Sequence, residues 1–169
     1  MKPYEFLPHT ADTKIRAYGH TLEEAFQNCA LATTAVITDP KKIQPTKKKK
    51  VIIESENLEA LLYDFLEELL ILLDSESFLL HAVKELKITP ETNQQKVDGK
   101  KNDQRTDPQK FEPKKNNQKS DYYTLTAILV GDVHHGQYEI STHVKAITYE
   151  EMFIKEENNL FTIQFILDL

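Results

Sequence analysis

The chain has 169 residues, 40% of them hydrophobic, with a formal net charge of −6 and a single cysteine. That length bounds one domain with a real core, and the lone cysteine excludes a disulfide framework and favours a reducing compartment. The acidic balance argues against a protein that holds nucleic acid by bulk charge.

The first residues, Met-Lys-Pro-Tyr-Glu-Phe, contain no secretory apolar run. Two short strands are expected at Tyr4 to Leu7 and Thr13 to Tyr18; in the second, Ile15 and Ala17 alternate with Lys14, Arg16 and Tyr18. Thr21-Leu-Glu-Glu24 is a capping box, with the Thr21 hydroxyl facing the Glu24 amide and the Glu24 side chain reaching back. Leu22, Ala25, Phe26, Cys29, Ala30 and Thr33 follow at helical spacing, and the pattern fades at Thr38-Asp39-Pro40. Cys29 reads as a small buried hydrophobe, since no histidine or basic residue stands at helical spacing to activate it.

The run Lys47 to Lys50 precedes a strand at Val51 to Ser55. It reads first as charge that guards an edge strand, and second as a contact for RNA or an acidic partner. A second helix opens after Asn57, its stripe formed by Leu58, Leu61, Leu62, Phe65, Leu66, Leu69 and Leu73. Glu59, Asp64, Glu67 and Glu68 interrupt this longest apolar region, so no membrane span is expected. The protein is expected in the cytoplasm.

A strand at Phe78 to Ile88 leads into residues 90 to 121, where Val97 and Phe111 are the only sizeable apolar side chains. Such a stretch reads as a disordered insertion within a single domain spanning 1–169. It carries +2, which leaves −8 on the rest of the chain. Carboxylates mixed among its lysines argue against a nucleic-acid tether. Further strands are expected at Tyr122 to Val130, His143 to Tyr149, Met152 to Lys155 and Leu160 to Leu167, with His134-His135-Gly136 in a hairpin turn. The fold class is α+β: two layers, a mostly antiparallel sheet with two helices packed on one face.

The chemistry is narrowed by what is missing. The four glycines form no phosphate loop, one cysteine excludes a Cys/His zinc pattern, and no serine, histidine and aspartate assemble by spacing into a triad. Two features remain: the segment Phe6-Leu-Pro-His9-Thr-Ala-Asp12 at a turn between strands, and the ending Ile166-Leu-Asp168-Leu169. If the last strand lies beside the strand that Asp12 opens, their oxygens can surround a hard cation such as Ca²⁺, Mg²⁺ or Mn²⁺. By spacing alone, Asp12 as a turn cap and Asp168 as a solvated end are the simpler readings.

Several segments together resemble the archease family: Phe6-Leu-Pro-His9-Thr-Ala-Asp12, Gly19-His-Thr-Leu-Glu-Glu24-Ala-Phe26, Leu58 through Leu70, Val144-Lys145-Ala-Ile-Thr148-Tyr149, and Leu167-Asp168-Leu169. Their order matches across the chain outside the insertion. The resemblance implies a compact α+β fold and a divalent-cation site, with calcium as the family's ion and Asp12, Asp168 and Leu169 as its ligands. It implies a non-catalytic accessory protein that stimulates an RtcB-type tRNA ligase, promoting formation of the ligase–guanylate intermediate and repeated turnover. The ligase is the implied partner, together with its guanine nucleotide, without strong direct nucleic-acid binding. His9 would support the site or its turn, and Lys145 would contact either an acidic ligase surface or a nucleotide phosphate, unless it merely faces solvent. Two other functions compete: a metal-dependent phosphoester hydrolase with His9 as base, and a scaffold or chaperone that binds partners through its leucine-rich helix. The sequence departs from the family pattern in the insertion and in Glu150-Glu151, where a histidine or small polar residue is commoner.

Overall fold

The computed structural model describes residues 1–92 and 122–169. Their elements run β1 (Tyr4–Leu7), β2 (Thr13–Gly19), α1 (Leu22–Ile37), a short 3-10 turn at Pro40–Lys42, β3 (Lys47–Ser55), α2 (Leu58–Glu76), β4 (Phe78–Glu91), β5 (Tyr122–Val133), β6 (Ala146–Glu157) and β7 (Leu160–Asp168). The strands divide between a four-stranded sheet, ordered β1-β2-β7-β6, and a three-stranded sheet, ordered β3-β5-β4. Every pairing is antiparallel. The architecture is α+β as expected, with the sheet layer split in two.

Both helices touch both sheets. α1 lies against β2 and β7 on one side and β4 on the other, while α2 lies against β6 and against β3, β4 and β5. Phe26 of α1 stacks on Phe65 of α2, ring centroids 6.4 Å apart, and both are fully buried with Ile15, Leu61, Leu125, Leu129, Ile163 and Phe165. Burying each such side chain contributes roughly 1.5–3 kcal/mol, which makes this shared core the main source of cohesion between the sheets. No helix among the described residues is long and apolar enough to cross a membrane.

The helix ends follow their local chemistry. Thr21 Oγ1 accepts from the Glu24 amide at 3.1 Å, and Asn57 accepts from the Ala60 amide at 2.8 Å. Glu24 reaches back to the amide of His20, at 2.6 Å, one residue before the usual partner in a capping box. Gly19 is required where β2 turns into α1, because a Cβ there would stand 2.3 Å from the Ala25 amide nitrogen.

Four local expectations change. The lysine run lies inside β3, where Lys47 to Lys50 pair with Gly131 to Ile128 on an edge strand; Lys49 forms an ion pair with Glu76 and lies 5.8 Å from the Phe78 ring centroid. Pro90 and Glu91 belong to β4, paired with Tyr123 and Tyr122, so the insertion begins later than its composition suggests. A proline is tolerated there because β4 is an edge strand. The disorder expected of the insertion otherwise falls at 93–121, outside the described residues. His134-His135 occupy no hairpin: at that point the chain leaves the three-stranded sheet and crosses to the other, held where Thr38 Oγ1 donates to Glu139 O at 2.7 Å and the Ser141 amide to Ile37 O at 2.7 Å. Finally, the strands expected at 143–149 and 152–155 merge into one, β6, which begins only at Ala146 and is interrupted by a bulge.

Candidate functional site

β1 stops at Leu7 before Pro8, and the chain turns through His9–Asp12 into β2. Ala11 takes a left-handed backbone, φ 66°, a conformation that favours glycine and costs a residue with a Cβ on the order of 1 kcal/mol. Beyond the turn, β2 pairs with β7 in a register whose last pair is Thr13 with Leu167. Asp12 is therefore the residue just before that pair and Asp168 the residue just after it, at the same end of the same two strands. Strand alternation sends Lys14, and likewise Ile166 and Asp168, to the face turned away from α1.

The other neighbour of β7 holds the same end. Ala146 pairs with Asp168, and the Lys145 amide donates to Asp168 O at 2.8 Å. Asp168 is thus a paired strand residue with an exposed side chain, not a frayed end. Leu169 is half-buried and packs on the core, which ties down the backbone that follows Asp168. The structure therefore gathers Asp12, Asp168, Leu169 and Lys145 at one corner of the four-stranded sheet. Lys145 is exposed and makes no ion pair among the described residues.

His9 belongs to the same corner. Its Nδ1 lies 3.9 Å from Asp12 Oδ2, too far for a hydrogen bond, and is buried without a hydrogen-bond partner. Beside it, an open depression of about 380 Å³ is lined by Phe6, His9, Asp12 and Val36 among others.

One contributor was visible in the sequence only as a departure from the family pattern. In the β6 bulge, between the Thr148–Ile166 and Phe153–Gln164 pairs, Glu151 adopts φ 52° and turns its carboxylate to Lys14 Nζ at 2.5 Å. The hydrogen bond from Lys14 holds the Glu151 carboxyl below its ordinary range, with His9 adding a weaker pull. Gln164 secures this arrangement from beneath: its Nε2 donates to Glu151 O at 3.0 Å while its Oε1 accepts from Arg16 Nη2 at 2.7 Å. A non-glycine residue with positive φ has no reliable sequence signature, so the bulge was not readable in advance. Tyr149, at its start, stacks on Tyr63 of α2 with ring centroids 4.6 Å apart and planes 5° from parallel.

The donor set can be weighed against a cation. Among the described residues, no group of three or more His, Cys, Asp or Glu side chains is close enough to hold a metal unaided. What this corner offers is two carboxylates and the backbone or chain-end oxygens of Leu169. Oxygen donors are the type a hard divalent ion takes, and two carboxylates fall short of the ligand set of a closed structural centre.

The sequence profile of the Archease protein family matches residues 4–119 and 100–169. The chain belongs to the archease family. It is 36% identical to the archease of Thermococcus kodakarensis over 171 residues and 34% identical to that of Methanothermobacter thermautotrophicus over 169, covering all of both chains in each case. Among solved archease-family structures, the solution structure of Methanobacterium thermoautotrophicum protein 1598 is similar at a TM-score of 0.72, with 34% identity and full coverage of both chains. A crystal structure from Thermotoga maritima, described as that of an archease and possible chaperone, shares the fold at a TM-score of 0.52 and 13% identity, over 96% of this chain and 94% of that one.

Proposed function

We propose that this protein is a metal-binding accessory factor that activates an RtcB-type RNA ligase in tRNA splicing and RNA repair, with no catalysis of its own. Such a ligase joins RNA ends that bear a 2′,3′-cyclic phosphate or 3′-phosphate to ends that bear a 5′-hydroxyl. The observation that carries the reading is the Thr13–Leu167 pairing, which puts Asp12 and Asp168 at one sheet corner in a chain of the archease family.

In this reading Asp12, Asp168 and the Leu169 carboxylate hold a divalent ion, Ca²⁺ by preference over Mg²⁺ or Mn²⁺, which would supply positive charge at the ligase's nucleotide pocket. The turn at Ala11 and the anchored Leu169 side chain orient the oxygens. Exposure of Asp168 keeps the grip loose enough for the partner to engage. Lys145, beside Asp168, would meet an acidic ligase surface or a nucleotide phosphate. His9 lies beside Asp12 in the turn and is too soft a donor to be the first choice for such an ion.

The test is multiple-turnover ligation, with guanylylation of the ligase followed in parallel. The wild-type protein should stimulate both, while Asp12→Asn and Asp168→Asn should stimulate neither and melt at the wild-type temperature. Full stimulation by both variants sinks the proposal. Residues added after Leu169 should impair cation binding if its carboxylate is a ligand. The description of the Thermotoga protein as a possible chaperone favours one competing reading, a scaffold whose cation only stabilises the fold. For that, Asp12→Asn would melt earlier yet stimulate fully once folded. Turnover of cyclic-phosphate RNA by the pure protein, without ligase, would instead mark a hydrolase.

A further inference from the structure

On the outer face of the four-stranded sheet, away from the Asp12–Asp168 corner, Arg16 of β2 and Lys155 of β6 converge on Phe153. The Arg16 guanidinium carbon is 5.9 Å and Lys155 Nζ 4.7 Å from the ring centroid. The register explains why: Arg16 and Phe153 flank Gln164 on neighbouring strands, and Lys155 pairs with Thr162 one step along. These residues line a cleft of about 320 Å³ together with Glu157 and Thr162. Neither cation forms an ion pair among the described residues, on a chain that carries −8 outside its insertion. Arg16 is fixed through Nη2, which donates to Gln164, and by a side-chain hydrogen bond with Tyr18, while its Nε is buried. The guanidinium is thereby held in one orientation in the cleft wall, its charge and that of Lys155 both without an ion-pair partner among the described residues.

We propose that this cleft binds a phosphate ester carried by a nucleoside. A planar carboxylate is satisfied by the fork of one arginine, whereas an anion with oxygens in several directions suits Arg16 and Lys155 together. The cleft falls within the size range of small-molecule sites, which leaves room for the group that bears the phosphate. Phe153 backs both cations and contributes the apolar part of the lining beside them. The Glu157 carboxylate in the lining opposes further negative charge and so favours a single phosphate over a polyphosphate chain. Nothing in this assignment requires the cation corner: loss of cation binding at Asp12 leaves it untouched.

The experiment is a titration of the full chain with guanosine 5′-monophosphate, inorganic phosphate, and a short single-stranded oligoribonucleotide ending in a phosphate, followed by calorimetry and by the Arg16 Nε–H resonance. The nucleotide should bind saturably and shift that resonance. Lys155→Met, an exposed position with no bearing on folding, and Arg16→Met should each weaken binding about tenfold. Should Arg16→Met fail to fold, Lys155→Met and the resonance shift still decide. A mononucleotide that binds as tightly as the oligonucleotide identifies free nucleotide as the source. Tighter oligonucleotide binding that vanishes with its terminal phosphate identifies an RNA end, and both results uphold the cleft. Unchanged affinity in the variants, or no saturable binding by any of the three probes, overturns it.

Discussion

Replacement of Gln164 by methionine isolates what a single buried amide does for this sheet. Gln164 is 6% exposed, accepts from Arg16 at 2.7 Å and donates to the Glu151 carbonyl at 3.0 Å. A hydrogen bond to a charged group contributes roughly 1.5–3 kcal/mol and a neutral one roughly 0.5–1.5. Arg16 is only half-buried and can recover part of its loss from water, and the methionine gains about 1 kcal/mol of apolar burial. The net cost should be about 2 kcal/mol, which for a chain of this size lowers the thermal midpoint by roughly 4–8 °C. Thermal unfolding followed by circular dichroism measures it. In an Arg16→Met background the same replacement should cost less, by about 1.5 kcal/mol, because the charged partner is already gone. A midpoint shift below about 1 °C, or an equal cost in both backgrounds, would refute the reasoning.

Two further outcomes follow from the same geometry. Lys14 depresses the Glu151 carboxyl, so the pair stabilises the fold above the ordinary glutamate value of 4.5 and loses that contribution as the pH falls through the lower folded value. Glu151→Gln should therefore unfold less steeply with acid below that point, as measured by midpoints across a pH series. Gly131→Ala should destabilise by about 1–3 kcal/mol in urea titration or prevent folding, since its Cβ would stand 2.0 Å from Leu79 O.

The elements were legible because each announces itself locally. The cap residues Thr21 and Asn57, the leucine stripe of α2 and the alternation of Leu125, Ala127 and Leu129 in β5 all depend on neighbours within a few positions. Asp12 and Asp168 were named from the sequence, but spacing alone favoured simpler roles for them; only the β2–β7 register brings them to one corner. The division of the strands into two sheets was not legible, because it turns on the crossing after Val133, and the His134-His135-Gly136 segment has the composition of an ordinary turn. Glu151 and the Arg16–Phe153–Lys155 cleft escaped for a related reason. The β6 bulge offsets the register by several residues, so no periodicity in the sequence places those side chains together.

The placement of β7 has a consequence for the order in which the molecule can be assembled. It is the final strand of the chain yet an interior strand of its sheet, hydrogen-bonded to β2 on one side and β6 on the other. The bond between Arg16 and Gln164 alone closes a loop of 148 residues. Until β7 arrives, β1 and β2 form a hairpin of four residue pairs whose remaining support is α1. Completion of the four-stranded sheet must therefore wait for its last nine strand residues. Such long-range closure makes for slow folding, during which the β2 and β6 edges that β7 will fill stand open to misassociation.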